Sequence, residues 1–258
     1  MKYHLDTIPV WDAMKLEGEC FLCALERKTE LQEADRFLGA SVMEPDVRIR
    51  VNRQGFCRAH HRMLYGMSNR LGHALMLESH TAETREALRS ALADMKKAAR
   101  QAASSPLGKL SRSGAQAVQA LREGADHLSD MAQGCILCSA IRENMARYLA
   151  TFFSLYQRDS EFRGAFKRSK GVCLPHLADL ARMAPDQLGA KELPDFIDLL
   201  ESLTNANMDR IQEDISWFIK KFDYRYTDQP WKNSQDAVPR TVNKLRGWCV
   251  GDEPNPKE

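Results

Sequence analysis

Apolar residues recur at helical spacing over most of the chain, and strict alternation appears once. Thr7 to Met14 predicts a short helix with an early proline, Pro9. From Cys20 to Ala40, Phe21, Ala24, Leu25, Leu31, Ala34 and Leu38 mark one face of a helix. Glu44-Pro45-Asp46 reads as its break, and Val47-Arg48-Ile49-Arg50-Val51 alternates, which makes it the one strand candidate. Helical spacing resumes at Cys57 and runs from about Asn69 to Ala103 through Leu71, Leu75, Leu88, Leu92 and Met95. Residues 104–114, rich in serine with Pro106 and two glycines, predict a linker. A helix then leads to Gly134, and others follow from Cys138 to Gln157, from Phe162 to Phe166 and from Cys173. Pro194 to Phe222 predicts a long amphipathic helix with Phe196, Leu199, Leu200, Leu203, Ile211, Ile215, Phe218 and Ile219 inward. Asp223 to Asp236 reads as a loop, Ser234 to Trp248 as a closing helix, and Gly251 to Glu258 as a disordered tail. The expected fold class is all-α.

Glycine and cysteine positions add a second layer to this pattern. Gly18-Glu19-Cys20-Phe21-Leu22-Cys23 is followed by Gly55-Phe56-Cys57-Arg58-Ala59-His60. Gly134-Cys135-Ile136-Leu137-Cys138 is followed, at nearly the same distance, by Gly171-Val172-Cys173-Leu174-Pro175-His176. Two copies in one order suggest duplicated helical halves. The expected organisation is a first metal-binding repeat over 1–103, a linker at 104–114, a second repeat over 115–250 and a tail at 251–258.

The spacing suits a metal. Cys-x-x-Cys brings two thiolates to one side of a turn, and Cys-x-x-His at a helix start puts a thiolate and an imidazole on one face. The reading is a Cys3His shell in each half. Cys20, Cys23, Cys57 and His60 would form the first, and Cys135, Cys138, Cys173 and His176 the second. Each motif falls where a helix begins, and the positive end of the helix dipole favours the thiolate. Three soft sulfurs and one imidazole point to zinc, two ions per chain, with an iron–sulfur cluster as the alternative. Four protein ligands close the shell, which favours structural zinc over a catalytic ion with an open position. No catalytic residues are assigned, and whether the chain is an enzyme stays open. A redox protein or metalloenzyme using one site is the rival to a binding or regulatory module.

Among the other histidines, His61 is set aside as a ligand because Leu177 holds its place in the second repeat. His73 and His80 lie seven apart on one helix face, read as a half-exposed face or a polar pocket. Cys249 falls outside both motifs and reads as a small buried hydrophobe or a free thiol.

The chain has 258 residues and a formal charge of +2. Near-neutral charge argues against nucleic acid and against a polybasic membrane role. Arg85 to Arg112 is basic but contains no aromatics, so it reads as a solvated helix and linker. No apolar run spans a membrane, and the N-terminal residues do not form a signal peptide, so the cytoplasm is expected. A partner, protein or small molecule, is expected at the loop carrying Tyr224, Arg225, Trp231 and Lys232, where aromatics and charges alternate. Oligomeric state is left open.

The motifs also carry a resemblance. Val42-Met43-Glu44-Pro45-Asp46-Val47-Arg48, Gly55-Phe56-Cys57 with His60, Asn69-Arg70-Leu71-Gly72, Lys221-Phe222-Asp223-Tyr224-Arg225 and Asp236-Ala237-Val238-Pro239-Arg240 resemble a family of uncharacterised proteins from anaerobic, largely clostridial bacteria, a domain of unknown function. The resemblance runs from about Tyr3 to Gly247. It implies one full-length unit and no particular activity.

Overall fold

A computed structural model describes residues 6–104 and 112–254. The described residues form α-helices and two 3-10 turns, with no strand among them. The helices are α1 Thr7–Met14, α2 Phe21–Leu38, α3 Pro45–Gln54, α4 Arg58–Gly66, α5 Arg70–Ser104, α6 Arg112–Met131, α7 Ile136–Arg158, α8 Ser160–Arg168, α9 Leu174–Gln187, α10 Glu192–Lys220 and α11 Ala237–Arg246. The 3-10 turns are Ala40–Met43 and Tyr224–Tyr226.

Val47–Val51 is helical, which corrects the strand expectation. Pro45 sits in the first turn of α3, where its missing N–H costs nothing and its fixed φ favours a helix. Val47 and Val51 are both buried, and four residues apart they share a helix face, whereas Ile49 is exposed. The apparent alternation is a buried helical pair with one exposed apolar residue, Ile49, between its members.

The described residues separate into two compact units: Met1–Glu30 with Arg142–Glu258, and Leu31–Ile141. Their boundaries fall within α2 and α7, not between the sequence repeats. Most of the expected linker, residues 105–111, lies outside the described residues, as does the end of the expected tail, residues 255–258; Ser104 ends α5 and Arg112 begins α6.

The first unit is built on aromatic packing. Phe152, Phe153, Phe162, Phe166 and Phe196 are fully buried. Phe152 stands at the centre, 4.9 Å from Phe166, 5.3 Å from Phe153, 5.6 Å from Phe162 and 5.8 Å from Phe21 between ring centroids. These separations suit edge-to-face and offset contacts. Trp11 fastens α1 to this core, with its ring 5.1 Å from Phe162 and its indole N–H donating to Asp159. Asp159 also caps α8, accepting from the backbone N–H groups of Glu161 and Phe162.

In the second unit Phe37, Leu64, Met76, Ile136 and Leu137 are fully buried, with Val42, Val47, Val51 and Phe56 around them. The long α5 packs along α6, where Gly124 lets the Met95 side chain close on the backbone. Gly55 takes φ 59° beside His80, whose ring occupies the space a Cβ would need.

Candidate metal centres

Each unit gathers one Cys3His cluster. In the first unit it is Cys20, Cys23, Cys173 and His176; in the second it is Cys57, His60, Cys135 and Cys138. The ligand sets are therefore exchanged relative to the sequence repeats. The Cys-x-x-Cys of one repeat meets the Gly-x-Cys-x-x-His of the other. Helix length explains why the nearer partner is not used. The 18 residues of α2 rise ~27 Å beyond Cys20, and the ten of α3 could return at most ~15 Å before Cys57. Likewise the 23 residues of α7 rise ~35 Å beyond Cys135, and the nine of α8 return ~14 Å.

The two clusters are built alike. Cys20 and Cys135 immediately precede α2 and α7, with Cys23 and Cys138 in the first turns. Cys57 and Cys173 are the N-cap residues of α4 and α9, with nearly identical backbones (φ −72°, ψ 166° and φ −71°, ψ 164°). Neither sulfur caps its helix. Each is turned toward the histidine three residues on. Gly55 and Gly171, two residues before these caps, both have positive φ, 59° and 69°, which only glycine adopts without strain.

The loops that present the ligands are tied together differently. In the second unit the backbone N–H of Ile136 donates to the Gly55 carbonyl at 3.0 Å. Gly134 lies so close to the Gln54 carbonyl that a Cβ there would overlap it. In the first unit the ammonium of Lys244, itself buried, donates to the carbonyls of Glu19 and Lys170, one in each ligand loop. Burial pulls the Lys244 ammonium toward lower pKa, and Glu19 and the thiols of Cys20 and Cys173 oppose that pull. Glu19 is held in turn by Arg210 and Arg240.

The spacing tests whether one ion fits. A tetrahedral ion with zinc–sulfur bonds of about 2.3 Å and a zinc–nitrogen bond of about 2.0–2.1 Å requires edges of about 3.8 Å between sulfurs and about 3.6 Å from sulfur to nitrogen. In the first cluster His176 Nδ1 lies 3.4, 3.6 and 3.1 Å from the sulfurs of Cys20, Cys23 and Cys173, and the Cys23 and Cys173 sulfurs are 3.6 Å apart. In the second, His60 Nδ1 lies 3.3, 3.1 and 3.4 Å from those of Cys57, Cys135 and Cys138, with 3.9 Å between Cys57 and Cys138. These edges are close to those of a single four-coordinate ion, and all four ligand atoms of each cluster lie within 4.8 Å of one another.

Ionisation points the same way. Burial opposes the Cys135 thiolate, but hydrogen bonds from His60 and from backbone N–H groups lower its pKa to about 6. Burial and the neighbouring Cys135 sulfur push Cys138 up to about 12. In the first cluster, burial is outweighed at Cys20, which falls well below the usual thiol value through bonds with Cys173, Cys23 and His176. Cys23 is driven upward by the Cys173 and Cys20 sulfurs and by burial. Burial opposes the charged form of His176, but bonds to Cys173 and Cys20 raise its pKa to about 11. Three packed sulfurs cannot all ionise without a cation among them, and a divalent ion would supply it.

Around the shells, the Glu26 carboxylate lies 3.5 Å from His176 Nε2 and can orient the ring. The backbone N–H of Trp248 donates to the Cys23 sulfur at 3.3 Å, and that of Cys138 to Cys135 at 3.4 Å. Glu26 lies one turn beyond Cys23, a spacing that offered a usable signal; Lys244 and Trp248 reach the site only through tertiary contacts.

The other singled-out residues belong to neither cluster. His61 Nδ1 is 3.2 Å from His73 Nε2 with the rings stacked, and His80 Nδ1 is 2.8 Å from the Asn52 carbonyl. Cys249 is exposed, so it is a free thiol and not a buried hydrophobe. The aromatic loop folds back on α10. Trp231 packs 5.9 Å from Phe218, and Lys232 lies 4.0 Å from the Trp217 ring centre. The buried Lys221 ammonium gathers the carbonyls of Tyr226, Thr227 and Gln229. Arg225 is engaged by Asp223, while Tyr224 is 87 % exposed.

The chain matches the model of a family of unknown function, DUF6062, over residues 1–252. It belongs to that family. Within this DUF6062 chain both four-ligand clusters lie inside the matched region. Searches of curated proteins and of solved structures gave no significant match. No described helix is long and apolar enough to cross a membrane.

Proposed function

We propose that the protein is a zinc-binding helical module that holds two structural ions per chain, one in each unit, and serves a binding or regulatory role. The carrying observation is the pair of compact Cys3His clusters whose edges fit one tetrahedral ion each. Four protein ligands leave no open position, so the ions fasten helix starts that are far apart in sequence. Duplication of an ancestral half followed by exchange of ligand pairs accounts for both the repeated motifs and the crossed pairing. Reduced thiols as ligands suit the cytoplasm. A protein or small-molecule partner would meet the exposed edge of the aromatic loop, with Tyr224, Arg225 and Lys232 exposed and Trp231 partly buried behind them.

Elemental analysis of protein purified without oxygen tests the reading. A colourless protein with two zinc per chain is expected. Visible absorption with iron would establish the rival redox reading, and a metal-free folded protein would refute both.

A further inference from the structure

The two clusters differ in protection. Cys20, Cys23 and His176 are each 5 % exposed and Cys173 is 0 %. In the second unit Cys135 and His60 are buried, but Cys57 and Cys138 are both partly exposed, and their sulfurs lie 3.9 Å apart. The first cluster also has the Lys244 ammonium in its ligand loops and the Trp248 N–H on Cys23. These donors offset the net negative charge that three thiolates leave on a divalent ion and hold the sulfur electrons more tightly.

We propose that the second-unit cluster is a peroxide-sensitive, releasable zinc site, with Cys57 and Cys138 as its reacting pair, while the first-unit cluster keeps its ion. The proposal rests on zinc occupying both clusters. One exposed thiolate attacks hydrogen peroxide; the O–O bond breaks, a sulfenic acid forms and hydroxide leaves. The other thiolate attacks that sulfur, forms the disulfide and expels a second hydroxide. Two protons convert the hydroxides to water. The two sulfurs together give up two electrons, and the peroxide takes them. The sulfurs need to close from 3.9 Å to a bond of about 2.05 Å. Only Cys135 and His60 remain as ligands, too few to retain the ion. A thiol reductant with added zinc reverses the change.

The test uses full-length Cys249→Ser protein, which removes the exposed thiol belonging to neither cluster. Zinc is counted first. Two per chain lets the test proceed, and a zinc-free preparation overturns the structural-zinc reading and this proposal with it. Hydrogen peroxide is then added in small excess, release is followed with a colorimetric chelator, and disulfides are mapped by mass spectrometry. One equivalent should leave at least about tenfold faster than the other, together with a Cys57–Cys138 disulfide. Release of both ions at one rate, no release, first oxidation at Cys20, Cys23 or Cys173, or a Cys135–Cys138 disulfide would each overturn the proposal.

Discussion

Crossed pairing of the ligands makes a prediction that pairs of substitutions can decide. Cys20→Ser with Cys173→Ser damages a single cluster, whereas Cys20→Ser with Cys57→Ser damages one in each unit. Under competition from a chelator strong enough to strip a three-ligand site, the first double variant should retain one zinc and the second none. Pairing within each repeat would give the reverse. Stability follows the same logic. An ion that binds only the folded state adds about 4 kcal/mol when free zinc is about a thousandfold above its dissociation constant. Losing one site should therefore cost about that much, and the second substitution in the same cluster should add little, since the ion is already gone. Substitutions in separate clusters should add nearly independently. Zinc per chain by elemental analysis, together with urea unfolding at fixed free zinc, gives both readouts. Retention of one zinc by the Cys20→Ser, Cys57→Ser protein would refute the crossed pairing.

Further consequences follow from neighbouring residues. Glu26→Gln should weaken zinc at the first cluster by about 10–100-fold in chelator competition and leave the second unchanged; equal weakening of both would contradict the orienting role. Gly55→Ala should destabilise by about 1–3 kcal/mol from its positive φ alone, and by more than Gly171→Ala, because only at Gly55 does the new Cβ meet a side chain closely, the His80 ring. Urea unfolding of the two variants compares them. Phe152→Ala should cost about 3–5 kcal/mol in the same assay, since the ring is fully buried among six others. Burial, and then the charge of Arg70, hold His73 below its ordinary value of 6.5. On acidification the unfolded chain takes this proton first, so stability falls as pH drops from about 6.5 through the lower folded value. His73→Leu should lessen that acid-side fall; unfolding curves with the same pH dependence as the parent would refute it.

The helices were legible because their signals are local. Phe196, Leu200 and Ile211 mark the buried face of α10 at spacings a sequence displays, and Cys-x-x-Cys and Cys-x-x-His announce ligands by chemistry alone. Val47 and Val51 are ambiguous because a pair four apart, with Ile49 between them, satisfies both a strand and a helix period, and Pro45, which reads as a breaker, starts a helix. Ligand pairing was hidden for another reason. Spacing says which residues can bind, but partner choice depends on how far α2 and α7 carry the chain before it turns, and both repeats share that spacing. Lys244 carried no mark at all, since its role comes from carbonyls at Glu19 and Lys170, far away in sequence.

X-ray absorption at the zinc edge of the purified full-length protein bears most directly on the two proposed single-ion centres. With two ions per chain, the spectrum should fit three sulfurs at about 2.3 Å and one nitrogen at about 2.0–2.1 Å for each zinc, with no metal neighbour. A shell dominated by oxygen or nitrogen, or a second metal close to the first, would contradict it.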